Sequence, residues 1–165
     1  MDKSYRNTVE IAEYANCLAG IQDMEVFCRH GAPVKEKNAA SLAEAFDGIA
    51  DYFMAASYET AAVIFLTEQE AREGAKLLQE RLLKKGFDVE NRFSCLDRNS
   101  SSFHKGITVT AYYLAKGLEF DCVVGIFPEQ RNEAAIKRAK YITATRALHE
   151  LTMYDYSEWN NPCNP

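Results

Sequence analysis

The 165-residue chain has little that would staple, anchor or extend it. Its cysteines, Cys17, Cys28, Cys95, Cys122 and Cys163, are odd in number, widely spaced and without a C-x-x-C pair. That pattern argues against a zinc site or a disulfide framework. It fits reduced thiols, some buried as small hydrophobes, and hence a cytoplasmic protein. Apolar runs long enough to cross a bilayer are missing, so no membrane partner is expected. The start, Met1-Asp2-Lys3-Ser4, is polar and lacks the apolar stretch of a signal peptide. A basic excess is also missing. Nineteen Lys and Arg face 24 Asp and Glu, a net charge of −5, which disfavours tight autonomous nucleic-acid binding but leaves a local groove open. His30, His104 and His149 are scattered without metal-ligand spacing, so no metal site is expected. Ser100, Ser101 and Ser102 lack a G-x-S-x-G context and are not read as nucleophiles.

What is present is ordinary globular material: 47% hydrophobic and 26% charged residues. The length fits one domain, which at this size buries roughly 70% of the surface its unfolded chain exposes. Asn7 and Glu10 resemble a capping pair, and Ile11, Tyr14, Ala15 and Leu18 share one helical face, predicting a helix over 8–19 that stops at Gly20. A short strand is expected at 25–28. A second helix, starting near Asn38 or Ser41, carries Leu42, Ala45, Phe46, Ile49 and Phe53 inward. The continuous apolar run 61–66 suits a strand covered on both faces. Thr67 to Glu70 then forms a capping box that opens a helix with Ala71, Ala75, Leu78 and Leu82 inward, ended by Gly86. Strands are expected at 89–93, 107–113, 122–127 and 151–154, a polar loop at 97–105, and a basic helix at 132–147. The 159–165 tail reads as frayed. The economical assembly is an α/β fold, a mostly parallel sheet with helices on both faces.

Three segments carry chemistry. Ser4-Tyr5-Arg6-Asn7 precedes a helix N-terminus, where unpaired N–H groups favour anions; the arginine adds a planar fork for phosphate, and the tyrosine a face for a base. The same residues also suit an exposed N-terminal arm. Ala115 to Asp121, between two strands, offers Gly117 for close backbone approach, Glu119 as an acceptor for sugar hydroxyls and Lys116 for phosphate; it also suits a solvated turn. Tyr141 to Ala147 places Arg146 near a helix C-terminus, either as a complement to the helix dipole or as an arginine offered to a transferring phosphoryl group. Lys137, Arg138 and Lys140 form a basic run that suits a solvated face or a patch facing phosphate or a partner.

Taken in order, S-Y-R-N-T, A-K-G-L-E-F-D and T-A-T-R-A-L-H-E-L resemble motifs IV, V and VI of the UvrD-like superfamily 1 helicases, the group that includes UvrD, PcrA and Rep. The resemblance spans nearly the whole chain and implies the C-terminal RecA-like motor domain, called 2A, over residues 1–158. It implies an enzyme when full-length, an ATP-dependent DNA helicase or translocase. It implies that Tyr5 stacks on adenine, Arg6 reaches the γ-phosphate, Gly117 and Glu119 lie at the nucleotide with the glutamate on the ribose, and Arg146 acts as an arginine finger. Arg146 and Arg6 are then the catalytic pair. No G-x-x-x-x-G-K-[ST] and no D-E-x-Q segment occurs, so ATP and Mg2+ would be held mainly by an N-terminal RecA-like domain, and the fragment alone should be inactive.

The family's motif V start, T-x-H-x-x-K-G, is altered: Ala111 and Tyr113 stand at its Thr and His positions. Single-stranded DNA is the implied partner, with Tyr112, Tyr113 and Lys116 as its contacts. The family's large 2B insertion is absent or cut to the loop around Asp97–Lys105, a compactness that resembles the HelD-like branch; with the lost Thr/His pair and the acidic charge, this implies RNA polymerase as an alternative partner.

Overall fold

The protein, described here from a computed structural model, is defined for residues 7–20, 29–56, 58–99, 105–129 and 133–157. Its elements run α1 (Val9–Ala19), β1 (Lys35–Ala39), α2 (Leu42–Ala55), β2 (Thr60–Phe65), α3 (Glu68–Lys84), a single turn α4 (Val89–Arg92), β3 (Phe93–Leu96), β4 (Gly106–Ala111), a 3-10 turn (Tyr112–Leu114), β5 (Phe120–Pro128), α5 (Glu133–Thr145) and β6 (Ala147–Tyr156). The strands form one sheet in the order β1-β6-β5-β2-β4-β3, and every neighbouring pair is parallel. This single all-parallel sheet flanked by helices is the α/β arrangement of a RecA-like domain.

Period-two alternation on the central strands builds two cores. Ala61, Val63 and Phe65 of β2 face α2 and α3, where Phe46, Ile49, Leu78 and Leu82 meet them. Ala62 and Ile64 face α1 and α5, where Ile11, Ala15 and Ala139 meet them. Both faces of β2 are dry, which is why its sequence is continuously apolar. Burying each of the large aliphatic or aromatic side chains contributes about 1.5–3 kcal/mol. Among the described residues, no helix is long and apolar enough to cross a membrane.

Several elements differ from the sequence reading: the expected strand 107–113 gives way to a 3-10 turn after Ala111, the expected helix 132–147 ends at Thr145, and β6 begins at Ala147, four residues before the expected strand 151–154. Thr8, not Asn7, caps α1, its hydroxyl accepting from the Ile11 N–H at 3.4 Å. At 89–93 the chain makes one helical turn before β3, because Asp88 accepts from the Asn91 N–H and competes with strand pairing. No apolar pattern marks β1 in the sequence, since four of its five residues are exposed. Among the described residues it is an edge strand, paired with β6, and Lys35 and Lys37 protect that edge while lying 5.7 Å from the Tyr52 and Tyr154 ring centres. The start of α2 is settled at Ser41, whose hydroxyl accepts from the Glu44 N–H. Thr67 caps α3 as its sequence predicts, and the Phe87 N–H returns to the Leu82 carbonyl to close the helix beside Gly86. The expected strand at 25–28 and the tail lie outside the described residues.

Candidate functional site

Because all strands are parallel, their N-terminal ends share one edge of the sheet. Phe120 and Ala147, the first residues of β5 and β6, lie opposite each other there, and the Phe120 N–H donates to the Arg146 carbonyl at 2.9 Å. The chain between β4 and β5 must pass β2 to reach this edge, and the segment 115–119 arrives directly against the end of α5. Leu118 closes its turn by donating to the Ala115 carbonyl at 3.0 Å. Gly117 then adopts φ +82°, exposed, with open space where a Cβ would stand. The backbone is therefore bare at this point and accessible to a flat or charged group.

Arg146 follows the last residue of α5 and is half-buried. Its Nη1 donates to the Leu118 carbonyl at 3.3 Å, and Nε and Nη2 donate to Thr145 Oγ1 at 3.3 and 3.2 Å. Thr145 Oγ1 in turn donates to the Ile142 carbonyl at 2.7 Å. None of these partners is a carboxylate, so the guanidinium is oriented by neutral acceptors and its charge is not cancelled by them. Gly117 and Glu119, 29 and 27 residues before Arg146 in sequence, thus share one edge with it; Glu119 is half-buried and Lys116 exposed.

The aromatic pair sits elsewhere. Tyr112 and Tyr113 follow β4 at the opposite, C-terminal edge, their rings edge-to-face at 5.3 Å. Tyr112 packs against the α1/α5 core. The Tyr113 hydroxyl donates to Glu68 Oε1 at 2.9 Å, and Arg98 binds the same carboxylate at 2.7 Å while lying 5.9 Å from the Tyr113 ring centre. Burial and the Glu68 carboxylate push the Tyr113 hydroxyl above its ordinary range. Tyr5 and Arg6 lie outside the described residues.

The residue after Arg6 is described, and sequence reasoning misassigned it. Asn7 is buried, and its amide reaches the carbonyls of Thr145 and Ala147. A second unexpected link straps 29–31 to the same corner. Arg29 donates to the Leu148 carbonyl at 2.6 Å and to His149 Nδ1 at 2.8 Å, which fixes that nitrogen as the acceptor. His149 Nε2 faces Asp121 at 3.7 Å, and its ring stacks on Tyr58 at 5.9 Å. Glu10 accepts from His30 Nδ1 and the Gly31 N–H; these bonds hold its carboxyl well below the usual range, lowered to about 2. No sequence signal marks these contacts, because each joins residues distant in the chain or within an irregular loop.

Nearby chemistry is inert. Burial pushes the Cys122 thiol up to about 12, with the Tyr52 hydroxyl 3.1 Å from its sulfur and bonded to Glu150, so it is not a nucleophile. In the basic run, Lys137 pairs with Glu133 and Lys140 with Asp155, which leaves Arg138 exposed. An open groove of about 870 Å³ between α3 and β3, lined by Arg72, Lys76, Phe93 and Cys95 among others, contains no residue of the Gly117–Arg146 corner.

The sequence matches no protein-family model and no curated protein. Among solved structures, it is similar to the C-terminal domain of a possible DNA helicase from Lactobacillus plantarum, with a TM-score of 0.65 and 21% identity over 95% of this chain and 90% of that one. At that identity the likeness is one of fold.

Proposed function

We propose that this chain is the C-terminal motor domain of an ATP-dependent superfamily 1 DNA helicase or translocase, working in the cytoplasm with an N-terminal RecA-like domain. The observation that carries the reading is the Arg146 guanidinium seated on the Leu118 carbonyl, which joins the segments resembling motifs V and VI at one sheet edge. A half-buried cation whose hydrogen bonds among the described residues go to neutral acceptors, beside an exposed, bare-backbone glycine, fits a polyanionic nucleotide. Arg146, with Arg6, would neutralise phosphoryl charge; Tyr5 would stack on the base and Glu119 hold the sugar. Hydrolysis of bound ATP would supply the free energy, with Mg2+ held mainly by the other domain. The fold likeness to a domain from a possible DNA helicase supports the same reading.

A second reading rests on a specific contact. The position where the family carries its motif V histidine holds Tyr113, whose hydroxyl is occupied by Glu68 at 2.9 Å. That weakens the case for a DNA-facing role there and favours a HelD-like factor that engages RNA polymerase. ATP turnover by the full-length protein separates the two. The helicase reading expects strong stimulation by single-stranded DNA. Unstimulated turnover together with RNA polymerase retained on pull-down selects the second, and no turnover at all contradicts both.

A further inference from the structure

The least expected bond in the molecule is made by Asn7. Its side chain is inside the protein, with the residue 5% exposed, and Nδ2 donates to the Ala147 carbonyl and, at 3.5 Å, to that of Thr145. The residues joined are 138 and 140 positions apart. The amide is not needed as a helix cap, since Thr8 fills that role. Nor is it needed to dock α1, whose Ile11 and Ala15 already pack into the core beside Ala139 and Ala144 of α5. What it grips is the backbone on both sides of Arg146. The Arg146 carbonyl between them is taken by the Phe120 N–H at 2.9 Å. Three successive carbonyls at the α5–β6 junction are therefore fixed from outside, two of them by one side chain. Replacing that side chain with an apolar one leaves buried acceptors short of donors, and the junction must shift to recover them.

We propose that Asn7 is a positioning residue: its buried amide sets the backbone that carries Arg146 and ties it to the segment bearing Arg6, the preceding residue. The inference rests on the assignment of Arg146 to an ATP site. It adds that the aim of the guanidinium is set by a residue that need not touch nucleotide. Thr145 Oγ1, which holds the side chain from one side, rides on the backbone that Asn7 grips, and the Leu118 carbonyl on the other side is tied to that backbone through the Phe120 N–H bond to the Arg146 carbonyl. A displacement of about 1 Å at such a group costs up to about 10²-fold in rate.

The experiment compares Asn7→Ala, Asn7→Ser, Arg146→Ala and the Asn7→Ala/Arg146→Ala double variant of the full-length protein, by ATP turnover and thermal unfolding. Asn7→Ala should lower kcat about 10- to 100-fold with KM for ATP little changed. Asn7→Ser, which keeps one donor, should lose less, and it serves where the alanine variant does not fold. The double variant should turn over no more slowly than Arg146→Ala alone, although its loss in Tm exceeds that of either single change. Unchanged kcat with a lowered Tm would overturn the proposal, leaving Asn7 only a packing role, and so would a double variant far slower than Arg146→Ala. Arg146→Ala at the native rate would instead sink the ATP-site assignment, whatever Asn7 does.

Discussion

Arg146→Ala in the full-length protein should cut ATP turnover by about 10³-fold or more, the size of arginine-finger effects. The fold should survive it. Arg146 is half-buried, and its three bonds go to one carbonyl and one hydroxyl at 3.2–3.3 Å, so removing the side chain strands no buried charge. Lysine should not rescue the rate. A guanidinium spans Leu118 O and Thr145 Oγ1 together and still presents a planar face, whereas an ammonium is a point charge on a flexible stem. Initial rates at saturating ATP, alongside a Tm within a few degrees of the native protein, are the measurement. Near-normal turnover would make Arg146 a structural residue of the α5–β6 corner and nothing more.

Gly106→Ala should destabilise the domain by about 3 kcal/mol or more, or prevent folding. Gly106 opens β4 at φ +114°, and a Cβ there would lie 2.2 Å from the Arg92 carbonyl oxygen and 2.8 Å from the Arg92 Cα. Those are backbone atoms, which cannot swing aside as a side chain would. Moving Gly106 instead breaks its N–H bond to the Glu59 carbonyl at 2.9 Å and the register of β4 with β2 and β3. Gly117→Ala is the matched control. It too has positive φ, but the space is open, so the cost falls to about 1–2 kcal/mol of backbone strain. Equal shifts in denaturation midpoint for the two variants would show that φ alone, and not the collision with Arg92, governs the β3–β4 junction.

The sequence made the central elements readable because their signals are local. β2 is apolar without interruption since both faces are covered, and α3 announces itself through the Thr67 cap and a regular inward stripe. β1 was illegible for the opposite reason: an edge strand with exposed lysines needs no apolar pattern, only a neighbour in β6. The turn at Val89–Arg92 reads as strand because Val89 and the following Phe93 suit either state, and the Asp88 cap decides for the helical turn. In the candidate site, the segments bearing Gly117, Glu119 and Arg146 stand out in the sequence through their resemblance to motifs V and VI. That the Leu118 carbonyl would receive the Arg146 fork, or that Asn7 would turn inward to Thr145 and Ala147, does not, because neither bond leaves a periodicity or a spacing behind.

The most direct measurement is a structure of the full-length protein with a non-hydrolysable ATP analogue. Nitrogens of Arg146 and Arg6 should both lie about 2.7–2.9 Å from oxygens of the terminal phosphate, as charge-assisted bonds do. A nucleotide bound with both guanidinium groups turned away from it would contradict the account.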